Sequence, residues 1–406
     1  MMKGLDKVLK ILYKKYSLLF AVIFIGTIFL QFSTVKTNYR VISEDLASSI
    51  LKVEKFNNGT FEKDKDVYVD YRVVEERLKK PFTKEDIKMV ADYGKKVGLD
   101  RIDNNGESFR YGGSIVEYNL ARVMDYDKGL ISGSKILSMN LLPLIILAVV
   151  VAFLLSSEFM TTFYKFMRQV PVKREGVYVA KVIFGILSLM VYLVVSLGIN
   201  YLLVRNTPFE NILTFSGIGS ILGKYILKTI TVFLGAFGVG TVSGNIVGFF
   251  GMLIITFGGI ILEELYLRFY QIFFNTDSIT FSDLSNFRKM MEKNPIYSIV
   301  NSANTILDGK YILNIVFLLV LYFLIGLIVT KLNDGSRTTK CIVLKGVSKV
   351  VMAIAVFTTV CASTLLINGI FGSGSGVGML MYPFAAFMLF VSYKFYKMLF
   401  EVNIGF

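Results

Sequence analysis

The chain has 406 residues, 54% of them hydrophobic and 18% charged, with a mean hydropathy of +0.60. That balance excludes soluble globular and disordered classes and points to a polytopic membrane protein. The net charge of +14 collects beside apolar runs, where it serves insertion and attraction to anionic lipid, so nucleic acid is not an expected partner.

Residues 1–16, MMKGLDKVLKILYKKY, set Leu5, Val8, Leu9 and Leu12 on one helical face and lysines on the other. This is the pattern of an interfacial helix, and equally of a lysine-rich lead-in that only orients the chain. The uncharged run 17–34 predicts the first span; no small-residue cleavage site follows it, so it is expected to stay in the mature protein. Residues 36–138 are far more charged and read as a small, mostly helical extracytoplasmic domain. Within it, TKEDIKMVADYGKKVGL predicts a helix from an N-cap at Thr83 to a stop at Gly98. Asn58-Gly59-Thr60 matches a glycosylation acceptor, but a Lys-, Ile- and Phe-rich chain without His or Trp has a bacterial composition, which argues against its use.

Further spans are predicted at 139–157, 182–204, 222–241, 245–266, 311–330, 350–368 and 376–396, because a bilayer core takes roughly 20 apolar residues. The uncharged stretch 229–262 is too long for one of them and divides at TVSGN. The expected fold is thus an all-α polytopic membrane protein with about eight transmembrane helices: a core over 139–331 and a C-terminal pair over 332–406. An outer segment is expected over 270–310. Lys and Arg collect before the first span, after the second, around 331–349 and at 394–397, which puts both termini in the cytoplasm of a bacterial plasma membrane. Gly240, Gly244 and Gly248 recur every four residues, a spacing for close helix packing, with a hinge as the other reading. Cys341 and Cys361 read as small apolar residues, and with no histidine in the chain no metal site is expected.

The loop 157–178 is the most informative stretch. Ser156 or Ser157 can cap a short helix on which Phe159, Phe163, Phe166, Met167 and Val170 share one side, and Pro171 stops it. That face can rest in lipid, or it can insert into a cleft of a cytosolic partner with Lys173 and Arg174 setting register. The order of bulky residues, Arg168, Val170-Pro171-Val172, Lys173-Arg174 and Ala180-Lys181 before a new span resembles the cytoplasmic loop of type-2 ABC exporter permeases. In that family a similar segment docks on an ATP-hydrolysing subunit. The resemblance extends through the general plan to about residue 331; the last two spans lie beyond it. It implies that Phe159, Phe163, Tyr164, Phe166, Met167, Arg168, Pro171, Lys173, Arg174 and Lys181 couple to a cytosolic ABC ATPase subunit. It also implies a second permease half, the same or a related chain, and a hydrophobic or amphipathic substrate such as a peptide, antibiotic or lipid.

ATP and Mg would sit on the partner, because this chain has no G-x-x-x-x-G-K-[ST]: GIGSILGKY at 217–225 has the wrong spacing and Tyr225 after Lys224. No covalent chemistry and no bound cofactor are then expected of the chain itself. A different class is suggested by Glu263-Glu264 and Arg268, whose E-E-x-x-x-R pattern resembles the first motif of CAAX-type intramembrane proteases. That family pairs the glutamates with later histidines, which this chain lacks, so the set cannot be completed. The three residues then read as an ion-paired outer end of the fifth span, or as lining an outer vestibule. A third class, a membrane sensor or immunity protein, would bind a peptide through 36–138.

Overall fold

The computed structural model describes residues 5–58, 69–96, 120, 123–125, 128–137, 141–161, 173–205, 207, 209–216, 218–273, 309–333, 339–371 and 377–402. They form α1 (Leu5–Asn57), α2 (Tyr71–Leu78), α3 (Lys84–Lys96), β1 (Met124–Asp125), β2 (Leu130–Ser132), α4 (Gly133–Ile136), α5 (Leu141–Met160) and α6 (Arg174–Arg205). A 3-10 turn and β3 (Leu213–Thr214) follow, then α7 (Ile218–Val242), α8 (Ile246–Phe257), α9 (Gly259–Phe273), α10 (Gly309–Leu332), α11 (Lys345–Phe371) and α12 (Val377–Glu401). Among the described residues six helices are long and apolar enough to cross a membrane: α1, α5, α6, α7, α10 and α11. The chain is a helical, multi-pass membrane protein. The other two expected spans, 245–266 and 376–396, fall on α8 with α9 and on α12.

The first correction concerns α1. The sequence divides this region into an interfacial helix, a span and a domain boundary, whereas one helix of 53 residues runs through all three. At 1.5 Å per residue it is about 80 Å long, against about 30 Å of hydrocarbon. Its first turns are not left lying on a surface: Leu12, Tyr16 and Phe20 are buried against α5 and α6, with Phe20 stacked on Phe184 at 5.6 Å. Its far half supplies Val35, Ile42, Leu46, Ile50 and Val53 to a second core.

That second core belongs to the charged lobe. Its α3 starts as the sequence predicts: the Thr83 hydroxyl accepts from the Asp86 N–H at 3.2 Å, and the Asp86 carboxylate accepts from the Thr83 N–H at 2.8 Å. This reciprocal cap satisfies donors that the first turn leaves open. The lobe is not only helical and does not end at 138. β2 pairs antiparallel with β1 and parallel with β3, so residues 213–214, which follow α6, complete a three-stranded sheet. Phe209 packs on Tyr39 and Phe82, both at 5.2 Å between ring centres.

The apolar helices make two groups. α5 lies along α7, and α1, α6 and α10 enclose them in the main core, where Phe233, Phe237, Tyr178 and Leu155 are fully buried. α9, α11 and α12 form the second group, joined by Tyr266 against Phe357 and Phe273 against Tyr382. The expected single span 245–266 is broken at Gly258, which separates the 12 residues of α8 from the 15 of α9. Ser156 and Ser157 cap nothing, since α5 continues to Met160 and their hydroxyls bond back to the carbonyls of Phe153 and Leu154.

Candidate functional site

The loop that carries the family resemblance leaves α5 at Met160 and enters α6 at Arg174, so the outer parts of 157–178 are helix ends. Between them, Phe163, Tyr164, Phe166, Met167, Arg168 and Pro171 lie outside the described residues. What flanks them is a buried charge cluster. Glu158, on the last turn of α5, faces Lys181, on the second turn of α6, with Nζ 2.6 Å from Oε2. The same ammonium donates to the Leu155 carbonyl at 2.8 Å and lies 4.3 Å from the centre of the Phe159 ring. From α1, the Tyr16 hydroxyl donates to Glu158 Oε1 at 3.0 Å, and Lys15 pairs with the same oxygen.

Burial decides what these groups can do. Lys181 is 1% exposed and Phe159 3% exposed, the latter edge-on to Phe237 of α7. Neither is free to contact a partner, which corrects their expected place on a docking face. They hold the ends of the loop instead. An unpaired ammonium in an apolar interior costs several kcal/mol, so Lys181 is retained only with Glu158, the Leu155 carbonyl and the Phe159 ring arranged round it. Glu158 carries two cations from two helices, and α1, α5 and α6 are thereby tied at one point. Lys173 is exposed, and Arg174 donates to the Asn333 carbonyl at 2.8 Å, which joins the start of α6 to the end of α10.

Glu158, Lys15 and Tyr16 are site residues that the linear sequence does not single out. The available signal was a lone carboxylate directly after the apolar run 139–157, which is costly at that depth unless something answers it.

Of the three glycines, Gly240 contacts α5 and the other two contact the segment before α11. Gly240 of α7 presses on the Ser156 side chain of α5, leaving no room for a Cβ. Gly244 is in the turn between α7 and α8, where its N–H donates to the Cys341 carbonyl at 3.1 Å and its carbonyl accepts from Thr339 N–H at 2.9 Å. Gly248 lies against the Cys341 carbonyl. Asn245 completes the seam, accepting from Gly248 N–H at 2.8 Å and donating to the Thr339 carbonyl at 3.0 Å. Thr339 has φ of 88°, a left-handed conformation unfavourable for a β-branched residue and held here by these bonds. Burial pushes the Cys341 thiol up, and its contact with Asn245 draws it part of the way back.

Glu264 and Arg268 pair at 2.6 Å and are both exposed. They project from the side of α9 opposite Tyr266, Phe269 and Phe273, which pack on α11 and α12. Nothing is described of the Glu263 side chain.

Comparison with protein-family models, with curated proteins and with solved structures finds no match to this chain.

Proposed function

We propose that the chain is the membrane-spanning permease subunit of a bacterial ABC transporter, an exporter driven by a separate ATPase. The observation that carries this reading is the Lys15–Glu158–Lys181 cluster. A loop that receives force from a cytosolic engine must be joined stiffly to the spans it moves, and here both its ends close onto α1, α5 and α6. Arg174 extends the connection to α10.

In this reading α8 and α9 together make a fifth span broken at Gly258, α12 makes the eighth, and the lysine-rich ends lie in the cytoplasm. Phe163, Tyr164, Phe166, Met167 and Arg168 form the face that meets the ATPase, with Lys173 beside it. A second permease half, the same chain or a related one, completes the transporter. The substrate is hydrophobic or amphipathic: a peptide, an antibiotic or a lipid.

The test is gentle solubilisation of the tagged chain from its native host, with identification of stoichiometric cytosolic partners for the native form and for Phe166→Asp. An ATPase held by the native chain and lost from the variant, with the bundle still folded, supports the proposal. No ATPase with either form overturns it.

A further inference from the structure

A cavity of about 180 Å³ lies between α8, the 341–342 segment, α11 and α12, lined among others by Val247, Gly251, Ile255, Val351 and Phe400. Its volume is close to the roughly 150 Å³ of an engineered core cavity that takes up benzene. Gly251 contributes no side chain to the wall, and a Cβ there would meet nothing within 4 Å.

The polar atoms along the cavity are already satisfied by the protein. Thr358 Oγ1 donates to the Ile354 carbonyl at 2.8 Å and is 2.6 Å from the Tyr266 hydroxyl. Thr359 Oγ1 donates to the Ala355 carbonyl at 2.9 Å and is 2.9 Å from the Tyr396 hydroxyl. The Cys341 thiol donates to the Leu399 carbonyl at 3.4 Å. A wall with its hydrogen bonds spent internally offers water no partners and suits an apolar occupant.

The end of the cavity formed by Cys341, Val351 and Phe400 lies at the lysine-bearing ends of α11 and α12. Lys340 precedes Cys341, Lys345 and Lys349 are in the first turns of α11, and Lys397 is in the last turns of α12. Lys345, Lys349 and Lys397 are exposed, and no ion pair to any of them is found among the described residues. The carboxylate described on these turns is Glu401, one against several.

We infer that this cavity, between α8, α11 and α12, binds one anionic phospholipid, with a segment of its acyl chain inside and its headgroup against Lys345, Lys349 and Lys397. The site does not depend on the transport reading. Apolar volume alone would accept any tail; the lysines at this end of α11 and α12 would select an acidic headgroup at the membrane surface, where each cation adds to the attraction.

The chain has no tryptophan, so one introduced indole reports alone. Val247→Trp places it on the cavity lining at a position 39% exposed, and Ile328→Trp serves as a lipid-facing reference on α10, 51% exposed. Both are reconstituted in bilayers of phosphatidylglycerol and phosphatidylcholine with one lipid brominated at a time, at low salt. The expected result is severalfold stronger quenching of the Val247→Trp indole by the brominated anionic lipid than by the zwitterionic one, exceeding any preference at the reference. Adding K345Q, K349Q and K397Q together should abolish that preference, and Gly251→Phe, which fills the cavity, should weaken quenching by both lipids. Equal quenching by the two lipids at Val247→Trp, or the same preference at Ile328→Trp, overturns the inference. So does a preference that survives both the lysine substitutions and the filled cavity.

Discussion

Glu158 and Lys181 stand 2.6 Å apart although the chain leaves the end of α5 and returns through α6 between them. The pair fixes where the intervening loop begins and ends. Tyr16 and Lys15 bring α1 to the same carboxylate, so three helices share one electrostatic knot.

Removing the carboxylate alone should be severe. Glu158→Gln leaves Lys181 buried with only neutral partners, a change expected to destabilise the folded protein by about 3–5 kcal/mol. Its mirror, Lys181→Met, leaves a carboxylate that still has Lys15 and Tyr16, so the loss should be smaller. The double variant Glu158→Gln with Lys181→Met should recover part of the loss, because no buried charge remains. Thermal aggregation midpoints in mild detergent would order the variants. If Glu158→Gln is as stable as the native chain, Lys181 finds its compensation elsewhere and the knot is not structural.

This cluster shows where sequence reading stops. The spans were legible because a run of apolar residues of bilayer length is a property of one contiguous segment. The Thr83 cap was legible for the same reason: donor and acceptor are three residues apart. Glu158 and Lys181 belong to different helices, and their meeting depends on how α5 and α6 pack. The sequence therefore presents Lys181 as a cation opening a span and coupling to a partner, while it is enclosed by Phe159 and α5. The length of α1 was hidden by the opposite effect. Charged residues after Val35 suggested a boundary, yet they line the polar side of a helix whose other side still packs Leu46 and Ile50 in the lobe. The strands leave no trace in the sequence pattern because two or three residues are too few to establish an alternation.

The lobe offers a test that does not involve the membrane core. Asp86 accepts from the Thr83 N–H and hydroxyl and also from Arg77 at 2.7 Å, so one carboxylate caps α3 and binds it to the end of α2. Asp86→Ala should cost about 1–2 kcal/mol through the lost cap and charged hydrogen bonds. Arg40→Ala, which removes an exposed pair with Glu44 on α1, should leave stability essentially unchanged, because solvent screens such a pair. Limited proteolysis within the lobe measures both: faster cleavage is expected for Asp86→Ala and native behaviour for Arg40→Ala. Equal sensitivity of the two would mean that the cap contributes nothing special.

Two glycines on one helix provide the sharpest contrast. Gly248 and Gly251 are both in α8, yet Gly248 lies against the Cys341 carbonyl while Gly251 faces open space. The contact at Gly248 is with backbone that is itself constrained, because the Cys341 carbonyl accepts from Gly244 and the neighbouring strand-like pairing joins Ser243 to Ile342. A methyl group there cannot be accommodated by rotating a side chain. Either α8 must move away, breaking the Asn245 cap on Gly248 N–H, or the 339–343 segment must give up its bonds to the turn after α7. Gly248→Ala is therefore expected to cost about 1–3 kcal/mol or more, the range for overpacking a close contact. Gly251→Ala should be neutral or slightly stabilising, since alanine favours the helix by up to about 1 kcal/mol. Yield of monodisperse protein after detergent extraction, followed by the thermal midpoint, separates the two. Equal behaviour would show that the seam between α8 and residue 341 has slack, and that the spacing of Gly240, Gly244 and Gly248 does not report a close approach at its last member.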